Sequence, residues 1–285
     1  MHALKLVLAP LALLAGLSVW SAPAYAAESY DNCTGFIDAV PATISTQGVW
    51  CLRQNLSTAI TTGAAINITT NNVTIDCNDF KLGGLAAGDG SMAGGISAVN
   101  RQNVSVRRCG IRGFAIGINL EGGSGHLIED NRIDNSLLVG VNVSGDNNRV
   151  QRNRVFDTGG GAAVQSRTGI SAAADVIGNT VAGVFTTVAD TTVYGISLKG
   201  QGNEARGNRV RGLVPVDGGF ATGLLASASG VTLADNRITG NSAAPISGTG
   251  INGTAADTFC TGNTVVYFSN GYVGCNHAFG NLPAP

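Results

Sequence analysis

The 285-residue chain carries 17 Lys and Arg against 18 Asp and Glu, for a net charge of −1, and 41 of its residues are Gly. That balance leaves no basic surface for nucleic acid and none for an acidic membrane. Only 12% of residues are charged, about half the usual share, which disfavours solvated amphipathic helices and favours short strands joined by tight turns.

In chain order, residues 1–26 read as a cleavable secretory signal peptide. Lys5 gives a positive start, residues 6–19 are an apolar run, and Ala24-Tyr25-Ala26 is a small-x-small site cut after Ala26. The run is too short and wrongly flanked for a membrane span, and nothing later is apolar enough to be one. The expectation is a secreted or periplasmic protein without membrane insertion. Residues 27–48, with Pro41 and few repeat features, read as a leader that caps the first coil.

From residue 49 to 277 a short box recurs, apolar-x-x-Asn-x-apolar. It is clearest in Ile128-x-x-Asn131-x-Ile133 and Val150-x-x-Asn153-x-Val155. Its asparagines are Asn78, Asn131, Asn153, Asn179, Asn208, Asn236 and Asn263, and Cys109 takes the place of one more. The intervals run from 22 to 31 residues, the length of a supersecondary unit that must stack on its neighbours to bury an apolar face. A Gly-Ile step recurs in phase: Gly95-Ile96, Gly117-Ile118, Gly140-Val141, Gly169-Ile170, Gly195-Ile196, Gly223-Leu224, Gly250-Ile251 and finally Gly274-Cys275. Apolar and polar residues alternate after it, so each step opens a strand with one face inside. Each unit then holds a Gly-Ile strand, a second strand ending at the Asn, a bend and a third short strand. Residues 278–285 form a tail ending in Pro283-Ala284-Pro285, and no linker interrupts the rest, giving one domain.

Six cysteines in an exported chain read as disulfides, and none lies in a C-x-x-C pair that would suggest zinc. Cys33 and Cys51 bracket the segment before the first clear coil. Cys77 and Cys109 fall in equivalent parts of successive coils, and Cys260 and Cys275 close the last one. The expected pairs are 33–51, 77–109 and 260–275, out of fifteen possible pairings.

Three other repeat folds fit less well. A leucine-rich repeat needs an apolar residue five before the Asn, where this chain has His126, Asn148, Ala174, Asn203, Val231 and Thr258. A left-handed β-helix would show strict six-residue periodicity, and a propeller a period of about 40 or more. The boxes and the Gly-Ile steps instead resemble the right-handed parallel β-helix of the pectate-lyase-like superfamily, with its short parallel β-helix repeats. The fold expected is all-β, a solenoid of about nine coils with an N-terminal cap. The asparagines are read as an internal ladder and not as ligands. The bend calls for a left-handed backbone that Asn tolerates, and each amide can serve the coils on both sides.

In enzymes that this chain resembles, the substrate cleft runs over the first strand of each coil, walled by the preceding loop. Alternation aims Ser97, Asn119, Asn142, Ser171, Ser197, Leu225 and Asn252 outward there, with Glu121 and Lys199 in a second row. Neither row holds an Asp, so the acid–base carboxylates of related hydrolases and the Ca²⁺ ligands of related lyases are not seen. No metal site and no cofactor are expected. Long insertions at 157–167, 182–194, 211–222 and 239–249 form a second wall. From these two features the candidate ligand-binding residues are Asp157, Arg167, Ser171, Tyr194, Ser197, Lys199 and Asn252.

Charge otherwise gathers around the boxes. Arg108, Asp130 and Arg152 are expected to stack with alternating sign as surface ion pairs, and Arg132, Arg154, Arg209 and Arg237 form a row able to grip anionic sugars. His126, in a Gly-Ser-Gly turn, and His277 read as solvated turn residues. The function expected is an exported module that binds polysaccharide, or a surface or envelope structural protein, without the usual lyase or hydrolase site. The alternative is a divergent polysaccharide lyase, hydrolase or epimerase that uses the long-loop wall.

Overall fold

Three parallel sheets run the length of the computed structural model, which describes residues 30–241, 246–254 and 257–283. Each coil contributes one strand to each. The Gly-Ile sheet has ten strands, from Ala42–Ile44 to Phe268–Val273. The pre-Asn sheet has eleven, from Gly35–Phe36 to His277–Phe279, and the post-Asn sheet ten, from Leu56–Ser57 to Leu282–Pro283. Among the described residues the sole helical element is one 3-10 turn, Leu85–Ala87. This is the β-helix the repeats predict. Part of the leader lies in it, because Gly35–Phe36 and Ala42–Ile44 open two of the sheets. The signal-peptide expectation and the side chain of His277 fall outside the described residues.

The core follows from the period-two pattern stacked in register. Ile128 sits between Val106 and Val150, Ile133 between Ile111 and Val155, and Ile118 between Ile96 and Val141. All nine are at most 1% exposed. Each buried aliphatic side chain is worth roughly 1.5–3 kcal/mol, well above an exposed ion pair at under about 1 kcal/mol. The aliphatic columns therefore hold the coil, and surface charge is free to serve other ends.

The Gly-Ile glycines are required by space. A Cβ on Gly195 would lie 2.3 Å from Val210 Cγ1 and 2.5 Å from the Gly223 carbonyl oxygen, and one on Gly223 would lie 2.2 Å from Ile238 Cγ2. Each glycine lets the next coil's carbonyl and the post-Asn aliphatic residue close over it. The column ends differently from the sequence expectation. Tyr272 is the residue opposite Ile251, so Gly271-Tyr272 takes the place assigned to Gly274-Cys275. Gly274 instead turns the chain at φ 71°, and Cys275 bonds Cys260.

The asparagine ladder is continuous. Asn131, Asn153, Asn179, Asn208 and Asn236 each donate Nδ2–H to the Oδ1 of the next asparagine, at 2.9–3.1 Å. Each also donates to a backbone carbonyl of the preceding coil, as Asn153 does to Ile128 O at 2.8 Å. Asn281, not anticipated, adds a last rung by accepting from Asn263 at 3.1 Å. The left-handed residue of the bend is not the ladder asparagine but the residue before it: Arg108, Asp130, Arg152, Gly178, Gly207, Asp235 and Gly262, at φ 52–64°. That residue absorbs the reversal, which leaves the Asn free to turn its amide inward. Asn78, expected as a rung, is cut off from the ladder by Cys109: its Nδ2 donates to Leu52 O at 3.3 Å, its Oδ1 accepts from Arg108 at 2.8 Å, and its φ is positive at 47°.

Three disulfides close as the coil geometry predicts: Cys33–Cys51, Cys77–Cys109 and Cys260–Cys275. Among the described residues no helix is long and apolar enough to cross a membrane.

Candidate functional site

The outer face of the Gly-Ile sheet carries three rows in register. The middle row runs Asn67, Ser97, Asn119, Asn142, Ser171, Ser197, Leu225, Asn252. Successive members face one another about 4.8 Å apart across parallel strands, and Asn142 Nδ2 donates to Asn119 Oδ1 at 2.8 Å. On one side lies the row of Glu121, Ser144, Ala173, Lys199 and Ser227, whose register is carried by backbone bonds such as Lys199 N to Ala172 O. On the other side lies Val139, Thr168, Tyr194, Thr222 and Thr249. This last row was missed in the sequence except for Tyr194. Its signal is the residue just before each Gly-Ile step: Thr168-Gly, Tyr194-Gly, Thr222-Gly, Thr249-Gly.

Five of the seven candidate residues share this face. Ser171 and Ser197 are adjacent in the middle row, and Asn252 follows with Leu225 between. Lys199 is exposed two residues beyond Ser197, and Tyr194, half-buried, lies three before it. Ser171 and Ser197 are buried despite facing outward, 4% and 5% exposed. The Ser171 Oγ and the Asn252 Oδ1 have no hydrogen-bond partner among the described residues. A buried polar atom left so costs about 1–3 kcal/mol.

The other two candidates stand apart. Asp157 is exposed near the end of the post-Asn strand Arg154–Thr158, at φ 49°. Arg167 is fully buried and opens the strand Arg167–Ala172, opposite Val193. Its guanidinium donates to the carbonyls of Gly161 at 2.6 Å, Ala163 at 2.8 Å and Gln165, so it fastens the preceding loop from inside. Burial alone pushes its pKa down.

The long insertions are part strand. Where early coils use three residues, as in Arg132–Asp134, later ones extend to Thr180–Phe185 and Arg209–Val214. The loops beyond them stack as a wall, with Thr186 N donating to Val214 O, Asp190 N to Asp217 O and Val193 N to Phe220 O. A cavity of about 600 Å³ opens at the far end of this wall, lined by Leu213, Val216, Asp217, Gly219 and Ile246 among others.

Charge on the pre-Asn side is paired internally. Asp76, almost fully buried, accepts from Arg107 Nε at 2.9 Å, Arg108 Nε at 3.0 Å and Asn78 N at 3.1 Å. Burial pushes its carboxyl up, but the Arg108 bond, the Asn78 N–H and the two guanidinium charges outweigh that and hold it below its ordinary value. The expected stack of Arg108 on Asp130 is thus corrected: Arg108 turns back to Asp76, because a buried carboxylate offers it the drier, more strongly bound partner. The Asp130–Arg152 part holds, with Arg152 reaching both Asp130 and Glu129, and Arg152 keeps Asp130 ionised below the usual range. The Asp76 cluster had no sequence signal beyond a single acid facing an Arg pair one coil later.

His126 also departs from expectation. It is buried at 2% exposure, with Val104 N–H donating to Nδ1 at 3.3 Å and Nε2 3.0 Å from Gly122 O. Those partners fix the neutral Nε2–H tautomer, and burial pushes the pKa down. The turn glycines had suggested solvent, whereas the ring in fact fills the corner above Asn148, whose Oδ1 accepts from His126 N at 2.9 Å.

With this geometry in view, known proteins give the family. Residues 47–193, just over half of the chain, match the family described as the right handed beta helix region, and the chain belongs to it. No curated protein matches the chain. Among solved structures, it is similar to the A-module of a mannuronan C-5 epimerase from Azotobacter vinelandii, at 11% identity over 85% of this chain and 88% of that one, TM-score 0.39. It is similar to an alginate lyase from Paenibacillus sp. at 12% identity over 84% and 97%, TM-score 0.39. A Dettilon tailspike protein aligns at 14% identity over 86% and 60%, TM-score 0.36. At these scores none of the three bears on activity.

Proposed function

We propose that this protein is an exported glycan-binding module that holds a polysaccharide along the outer face of the Gly-Ile sheet without cleaving it. The observation that carries the reading is the middle row. Small hydroxyls and amides follow one another in register from Ser97 to Ser197, with Tyr194 and Lys199 flanking them and the stacked loops beside them. A step of about 4.8 Å per coil is close to the length of one sugar ring. A chain lying along the axis therefore meets a repeated set of hydrogen-bonding groups. Neither outward row offers the carboxylate pair that glycoside hydrolysis uses. The three disulfides support an oxidising compartment.

A glycan-array screen followed by assay of the captured glycans for unsaturated and reducing ends tests the reading. Binding without product is the expected result. Product release at a catalytic rate would overturn it in favour of a divergent carbohydrate-active enzyme built on the loop wall.

A further inference from the structure

The post-Asn sheet differs in charge from the rest of the surface. On the pre-Asn side every arginine has an acid: Arg107 and Arg108 share Asp76, Arg149 meets Asp175, Arg152 meets Glu129 and Asp130, and Arg206 meets Glu204 and Asp235. On the post-Asn side the outward row runs Arg132, Arg154, Thr180, Arg209, Arg237 in strict register, with Arg211 beside Arg209 on its strand. All five arginines are exposed. Only Arg132 has an acid, Asp134 at 3.2 Å, and that carboxylate is shared with Arg112. Among the described residues no carboxylate ion-pairs with Arg154, Arg209, Arg211 or Arg237.

Arg132 over Arg154, and Arg209 over Arg237, are like charges on neighbouring strands. Such pairs destabilise a sheet, so Arg154, Arg209 and Arg237 do not serve the fold, whereas Arg132 also packs over the Phe156 ring at 5.0 Å. Arg132 and Arg154, and Arg209 and Arg237, lie within a Debye length of each other, about 8 Å at physiological salt. The Thr180 step leaves the two pairs about 10 Å apart, so the stripe is two adjoining patches of positive field on a chain whose net charge is −1. Guanidinium groups take carboxylates bidentately, and the spacing of about 4.8 Å per coil suits one anionic group for each sugar or every second sugar.

We infer that the post-Asn sheet is a second binding face, for an acidic polysaccharide running along the solenoid axis over Arg132, Arg154, Arg209 and Arg237. It is separate from the Gly-Ile face and does not depend on the reading of that face. Thr180 is the one neutral step within the stripe.

The test is titration of the full chain with polygalacturonate, a sulfated glycosaminoglycan, neutral dextran and duplex DNA, at low and physiological salt. The stripe variant Arg154→Gln/Arg209→Gln/Arg237→Gln is compared with Arg53→Gln/Arg149→Gln/Arg206→Gln, which removes equal charge elsewhere. The stripe variant should weaken binding of an acidic polysaccharide by about tenfold or more, and the control variant by much less. The carboxylated and sulfated arms tell which anion the stripe prefers. Thr180→Arg, which completes the row at a surface position, should tighten binding, and Thr180→Glu should weaken it. Equal losses in both triple variants, no binding to either acidic polymer, or DNA binding as tightly with the same variant dependence would each overturn the assignment. Loss on Tyr194→Ala with no change in the stripe variant would assign acidic glycans to the Gly-Ile face and would also overturn it.

Discussion

Asn153 makes two hydrogen bonds to a single atom of Asn179: its backbone N–H reaches Asn179 Oδ1 at 2.8 Å, and its Nδ2–H reaches the same oxygen at 3.1 Å. With a third bond back to Ile128 O, the side chain joins three coils at a point where no solvent reaches. Replacing it by Val leaves the Asn131 backbone N–H without its acceptor and takes one donor each from the Ile128 carbonyl and the Asn179 amide oxygen. Asn153→Val is expected to lower stability by about 1–3 kcal/mol, and exposed Arg154→Ala by under about 1 kcal/mol. Chemical denaturation of both variants checks this, and equal midpoints would remove the ladder from the account.

The glycine column gives a steeper test. A methyl at Gly195 meets Val210 Cγ1 and the Gly223 carbonyl at 2.3 and 2.5 Å, and backbone cannot yield as a side-chain tip can. Gly195→Ala is expected to cost about 1–3 kcal/mol or more by overpacking. Gly178→Ala, at a bend where a Cβ meets nothing within 4 Å but φ is 64°, should cost about 1 kcal/mol from its left-handed backbone. Val210→Ala in the Gly195→Ala background should recover part of the loss, which separates a local clash from general damage.

His126 and Asp76 predict acid sensitivity in two windows. The folded His126 pKa lies below its ordinary 6.5, so as pH falls below about 6.5 the unfolded chain takes up a proton that the folded chain refuses. Stability is therefore full above that pH and declines below it. Asp76 has a folded pKa below 3.8, so its contribution is complete above about 3.8 and is lost as pH falls through the folded value. Melting temperature followed from pH 7 down to about pH 2 should show both declines, the second only below about 3.8. His126→Gln should abolish the first and leave the second, and an unchanged upper window would contradict the buried neutral ring.

The fold was legible because its causes are periodic. Stacked Ile and Val, one Asn per coil and one crowded glycine per coil leave a mark in every repeat, and the three cysteine pairs follow once the coils are aligned. The misreadings are at positions where one repeat differs from the next. Nothing local in Gly-Ser-Gly-His126 says that Val104 N–H and the Gly122 carbonyl will hold the ring. Arg108 has two acids within reach of its coil, and its choice of Asp76 rests on burial that appears only in three dimensions. Arg167 sits in a loop-like stretch, yet its column neighbours fold it inward. The candidate face was half legible: its middle row follows from alternation, while the Thr168–Tyr194–Thr222 row depends on the kink at each glycine, which shifts the outward spacing from two residues to three.

The most direct test of the glycan-binding reading is calorimetric titration of the captured oligosaccharide into the unaltered protein and into Tyr194→Ala and Lys199→Ala. Both side chains lie on the outer face of the Gly-Ile sheet and neither is part of the core. Both variants should fold with unchanged melting temperature and bind about tenfold more weakly, equivalent to ~1.4 kcal/mol. Affinity unchanged in both would contradict the account and move the site off this face.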